Sequence, residues 1–109
     1  MKSPRRTIDG SIRIDTYIHQ LQFPIGALII SKGVDRLIRA GTEEPFQFLR
    51  RHARGDWGDV PADQWEANIA GIQSEAKLES FYVATNGQRI RIFTEADRSA
   101  THIVLASEN

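Results

Sequence analysis

The chain has 109 residues, enough for one domain with a single modest core and too few for two. Fourteen basic residues balance fourteen acidic ones, so no overall field draws the protein to nucleic acid or to an anionic membrane, and any such contact needs a local patch. The absence of cysteine excludes disulfides and thiolate zinc sites, and the longest apolar run, 25-IGALII-30, is far short of a membrane span. With no apolar stretch behind the basic N-terminus, these features point to a soluble cytoplasmic protein.

In chain order, residues 1–7 are polar and basic and contain Pro4, which describes a flexible arm and leaves 8–109 as one domain. The segment 11-SIRIDTYI-18 alternates Ile12, Ile14, Thr16 and Ile18 with other side chains, the period of a half-buried strand. Residues 26–31 predict a second short strand. Ser31 then caps a helix through 34-VDRLIRA-40 that stops at Gly41. A second helix begins between Thr42 and Pro45 and ends at Gly55, with Phe46, Leu49 and Ala53 on its inward side and Phe48 and His52 beside them. After the turn 56-DWGDVP-61, Trp65, Ile69 and Ile72 make the stripe of a third helix.

Beyond it the period changes to two. Residues 78–84, 88–95 and 100–106 alternate as strands, with 86-NG-87 as a hairpin signal and Asp97, Arg98 and Ser99 in a second turn. The expected fold is α+β: two or three helices packed on a C-terminal three-stranded antiparallel meander, which an N-terminal strand can extend. Its expected core is Phe46, Leu49, Trp65, Ile69, Ile72, Ile90 and Ile92.

Two stretches are dense in chemistry-bearing side chains. The first, 50-RRHARGDWGD-59, reads as a helix end with Gly55 in a left-handed cap, Asp56 and Asp59 capping the next turn and helix, and Trp57 over the core edge. It also reads as a site, in which Arg50, His52 and Arg54 hold an anion, with Arg51, Asp56 and Trp57 as further binding residues. The second, 94-TEADRSATH-102, reads as a polar turn. Alternatively it gathers Glu95, Arg98, Ser99, Thr101 and His102 at one sheet end as base, anion clamp and acid, or offers Glu95, Asp97, Arg98 and Ser99 for binding. Arg89, Arg91 and Phe93 share a strand face with the composition of a single-strand nucleic-acid platform, although Glu79 is placed to pair with one arginine across the hairpin.

Nucleotide, dinucleotide, zinc-protease and serine-hydrolase motifs are all missing, so no cofactor and no metal are expected. The residues 51-RHARGDWGDV-60, Asn68, Ser80, Tyr82 and 94-TEADRSATHIVL-105 resemble a family of small proteins of bacterial plasmids, integrative elements and prophages. Their shared pattern is close to R-H-x-x-G-D-W-G, a later asparagine, S-x-Y and T-E-A-D-R-S-x-T. Some members carry a label linking them to type I restriction modification subunits, yet the doubly wound sheet and glycine-rich loop of a methyltransferase have no counterpart here. The layout is also similar to metal-independent ribonucleases of the barnase, EndoU and RelE type. That likeness implies His52 as acid or base, Arg98 or Arg51 as phosphate clamp, and Thr101 or Tyr82 as transition-state donor. Two functions follow as expectations: an accessory module of mobile elements that binds a host protein, or an endoribonuclease acting on RNA.

Overall fold

A computed structural model describes residues 21–108; the basic arm 1–7 and the period-two segment 11–18 lie outside the described residues. The elements are β1 (Ala27–Ile30), α1 (Lys32–Arg39), α2 (Glu44–Ala53), α3 (Ala62–Ser74), β2 (Leu78–Val83), β3 (Arg89–Thr94), β4 (Ala100–Leu105) and a short 3₁₀ turn (Ala106–Glu108). The class is α+β, with three helices and one sheet of order β1-β4-β3-β2. The meander β2-β3-β4 is antiparallel, as the alternation predicts. The sheet differs from the expected one in having a fourth strand, β1, paired in parallel with β4. Nothing local encodes that pairing, which joins residues more than seventy positions apart.

Ser31 caps α1 by accepting a bond from the Val34 amide, and the Glu108 carboxylate adds bonds from Ser31 Oγ (2.6 Å) and the Gly33 amide (2.9 Å). The C-terminal turn is thereby fastened to the first helix through groups that a helix start leaves unpaired. α2 closes with a Schellman cap: the Gly55 amide bonds His52 O and the Asp56 amide bonds Arg51 O. The hairpin at Asn86-Gly87 has a three-residue loop. Gly87 N–H bonds Ala84 O (2.8 Å) over Thr85 and Asn86, and Gly87 itself sits at φ +88°, the left-handed bulge position that glycine fills without strain.

One sheet face carries Tyr82, Ile90, Ile92, Ile103 and Leu105 against Val34, Phe48 and Leu49 of α1 and α2. A second cluster joins Phe23, Trp57 and Leu78, with Trp65 and Ile72 of α3 packed against it. The expected core is therefore corrected in part. Leu49, Ile90 and Ile92 are buried, Phe46, Trp65 and Ile72 are half-buried, and Ile69 is 55% exposed. The cause is the position of α3, which lies along the outer edge of β2. It turns Asn68 and Gly71 inward, where the apolar stripe predicts Ile69.

Asn68 serves that edge directly: its Nδ2 donates to Glu79 O (2.8 Å) and its Oδ1 accepts from the Glu79 amide (3.2 Å). Two residues on, the Phe81 amide bonds Trp57 O and Phe81 O accepts from the Asp59 amide. Gly58 lies between them at φ +72°, where a Cβ would stand 2.2 Å from Phe81 O, so only glycine admits this approach. The motif stretch 57–59 and one asparagine thus cover the β2 edge at Glu79 and Phe81, where it otherwise presents unpaired backbone groups. Asn68→Ala is expected to lose about 2–3 kcal/mol in urea unfolding, because it strands two backbone groups. Ile69→Ala, one residue away, should stay within about 0.5 kcal/mol; equal losses at the two positions would contradict this account of the helix face.

Candidate functional site

The two dense stretches do meet, but inside the protein. His52 is fully buried, with Nδ1 2.6 Å from Ser80 Oγ and Nε2 2.9 Å from Thr94 Oγ1. Thr94 Oγ1 lies 2.7 Å from Thr101 Oγ1, and the Thr101 hydroxyl donates to Ile25 O (2.7 Å). That last bond sets the direction of the chain. With its proton spent on Ile25 O, Thr101 accepts from Thr94, Thr94 accepts from His52, and His52 carries its proton on Nε2 while Nδ1 accepts from Ser80. Phe23 and Trp57 stand edge-on to the imidazole at 5.4 and 5.5 Å between centroids. Burial, and after it the Arg98 guanidinium, push His52 down to about 3.

The other proposed catalytic groups are committed in the same way. Tyr82 donates to Asp56 O (2.6 Å), its ring is stacked on Phe48 at 4.7 Å, and burial pushes its phenol up. Arg51 lies over the Tyr82 ring (4.8 Å) and pairs with Asp56 (2.8 Å); that hydrogen-bonded pairing holds the carboxyl below its ordinary range and raises the guanidinium. Asp56 also accepts from the Gly58 amide, whereas Asp59 caps no helix and stands 3.8 Å from Arg89. Arg98, at φ +62°, points back toward the end of α3. It donates to Gly71 O (2.8 Å), Ala76 O (2.7 Å), Glu95 O and Ala96 O. Trp57 is wholly buried, and its Nε1 has no hydrogen-bond partner among the described residues. Of the first stretch, Arg50 on α2, its C-cap Arg54 and Asp59 remain exposed.

The sheet face turned away from the helices contributes to neither core cluster. Arg89 lies over Phe81 (5.1 Å), while Arg91 (4.2 Å) and Lys77 (4.6 Å) lie over Phe93. Arg91 is also paired with Glu79, and Phe93 is stacked on His102 at 4.4 Å. The aromatic faces are largely occupied by the protein's own groups, which leaves little ring surface for a nucleic-acid base.

At one end of this face is an open depression of about 620 Å³, lined by Ile29, Glu95, Ala96, Asp97, Ser99, Ala100 and His102. His102 Nε2 and Glu95 Oε2 are 2.9 Å apart, and Asp97 accepts from the Ser99 amide (2.9 Å); the Ser99 side chain and, after it, this amide hold the Asp97 carboxyl below the ordinary range. So Glu95, Asp97 and Ser99 come together with His102, while Arg98 and Thr101 point elsewhere. Ile29 joins them because β1 pairs with β4 at Ile29↔His102, a contact with no local sequence signal. A second, more apolar cleft of about 340 Å³ lies between α1, α2 and the β2–β3 hairpin, and its Glu44 carboxylate is held by Thr85. Among the described residues no cluster of three metal-binding side chains occurs, and no helix is long and apolar enough to cross a membrane.

Comparison with protein-family models, with curated proteins and with solved structures finds no match. The candidate site therefore rests on geometry alone.

Proposed function

We propose that this protein is a small, non-enzymatic binding module that holds a protein partner at the Glu95–His102 depression. The setting implied by the motif resemblance is an accessory role in a mobile genetic element acting on a host protein. The observation that carries the reading is a contrast in exposure. His52, Thr101, Tyr82 and Arg98, the groups an endoribonuclease would need, have their polar atoms bound to other parts of the chain, while Glu95, Asp97 and Ser99 open together onto a depression with the exposed Ile29. Acid–base catalysis needs its groups within reach of the substrate. Binding needs exposed apolar and polar groups side by side.

The test is cross-linked capture from bacterial cells that express the tagged full-length chain. Ile29→Arg and Asp97→Arg should each cut recovery of the cross-linked partner by about tenfold, equivalent to 1.4 kcal/mol, while the unfolding midpoint stays near that of the unaltered chain. Arg50→Glu, on the opposite side of the sheet, should leave recovery within about twofold, as expected outside a binding centre. Undiminished capture by both depression variants would overturn the reading. Cleavage of single-stranded RNA that His52→Gln abolishes would replace it with the ribonuclease.

A further inference from the structure

The two edges of the sheet are treated in opposite ways. On β2, the outward groups of Glu79 and Phe81 are taken by Asn68, Trp57 and Asp59. On β1, the Ala27 amide bonds Ser99 O and the Ser31 amide bonds Ile103 O, both at 3.0 Å, so these residues turn their backbone toward β4. Backbone groups alternate sides along a strand, which turns those of Leu28 and Ile30 outward. Among the described residues no strand pairs with that edge. The strand reads ALII and carries none of the usual edge protection, neither lysine nor proline nor bulge, and Leu28 and Ile29 are 38% and 46% exposed.

The neighbouring depression adds a charge preference. Its lining holds two carboxylates, Glu95 and Asp97, and no lysine or arginine. Resting on the reading of the protein as a partner-binding module, we propose that the partner enters as an extended, basic peptide segment. It adds a strand to the outer edge of β1 and lays a lysine or arginine over Ile29 with its charge at Glu95 and Asp97. A paired strand sends alternate side chains to each sheet face, so the residue beside Ile29 enters the depression while its neighbours do not. A long basic side chain suits the lining at both ends, with its stem on the apolar Ile29 and Ala96 and its head at the carboxylates. A nucleic-acid strand does not suit it, since its phosphates would meet two like charges.

The experiment uses the full-length chain and a labelled peptide, acetyl-Thr-Val-Arg-Val-Thr-amide, with amide exchange followed residue by residue. Binding should slow exchange at Leu28 and Ile30. The same peptide with glutamate in place of arginine should bind about tenfold more weakly, and the version methylated on its backbone nitrogens should not bind. Leu28→Pro removes an outward amide while keeping the bonds to β4, and it should abolish binding in a folded protein. Asp97→Asn keeps an acceptor for the Ser99 amide and should narrow the preference for arginine over glutamate.

Slow exchange at Leu28 and Ile30 in the free chain would overturn the proposal, because the edge would already be filled; sedimentation would then assign it to a second copy or to the chain's own basic segment 1–20. Equal binding of the arginine and glutamate peptides would overturn it as well, as would binding that leaves Leu28 and Ile30 unprotected. Should the peptides fail to bind while cross-linked capture still depends on Asp97, strand addition is refuted and the binding-module reading stands. Loss of both results would refute both.

Discussion

Trp57→Ala is expected to destabilise the protein by about 3–5 kcal/mol, the range for removing a large aromatic ring from a core. The ring has no exposed surface, lies stacked with Phe23 at 6.0 Å and edge-on to His52, and belongs to the same cluster as Leu78. Its backbone holds the β2 edge through Phe81, so the cavity opens beside a structural seam. Urea unfolding monitored by circular dichroism measures the effect. A loss under about 1 kcal/mol would place the ring at the surface, where it would serve as a partner contact instead.

The second large effect depends on pH. His52 titrates at about 3 in the folded protein because burial and Arg98 disfavour the imidazolium, whereas an unfolded histidine titrates near 6.5. Between these values the unfolded chain binds a proton that the folded chain does not. Stability is therefore fully present above pH 6.5 and falls by up to about 1.4 kcal/mol per pH unit as pH drops toward 3. At pH 4.5 the loss from this residue is about 2–3 kcal/mol relative to pH 7.5. His52→Gln should be less stable at neutral pH, since a neutral amide cannot reproduce both ring contacts. Its stability should also depend less steeply on pH, by that amount, between 7.5 and 4.5. The lowered carboxyls of Asp56 and Glu108 lose stability in the same direction, so the difference between the two proteins isolates the histidine. Identical slopes would mean that His52 is solvated.

The strands and helices were legible because each carries its own period and punctuation. Ser31, Gly55 and Asn86-Gly87 mark boundaries by local chemistry that operates the same way in any fold. The face of α3 was not legible. Trp65, Ile69 and Ile72 form an apolar stripe, but a helix set against a strand edge answers to backbone groups, and Asn68 supplies what that edge lacks. The pairing of β1 with β4 has no local signal, and with it Ile29 in the depression was hidden.

The interior polar chain did leave a trace. Ser80, Thr94 and Thr101 occupy inward positions of strands whose other inward residues are apolar. Polar groups at buried positions imply a shared partner, here His52 from α2 and Ile25 O, which the strand pattern alone could not name. The density of RRHARGDWGD thus has a physical account within the fold. Gly55 caps a helix, Asp56 holds Arg51 and the Gly58 amide, Gly58 lies close against β2, and His52 and Trp57 fill the core.

His52, Gly55, Trp57 and Gly58 of this motif build the interior and its seam with β2, and the proposed binding surface lies elsewhere, at the Glu95–His102 depression. A ¹⁵N titration of the histidine side chains in the full-length chain, with and without single-stranded RNA, distinguishes a buried structural His52 from a catalytic one. His52 should stay neutral, with its proton on Nε2, from pH 8 down to about 4.5, and RNA should leave its resonances unchanged. A midpoint for His52 near 6.5 that moves when RNA is added would contradict the structural role.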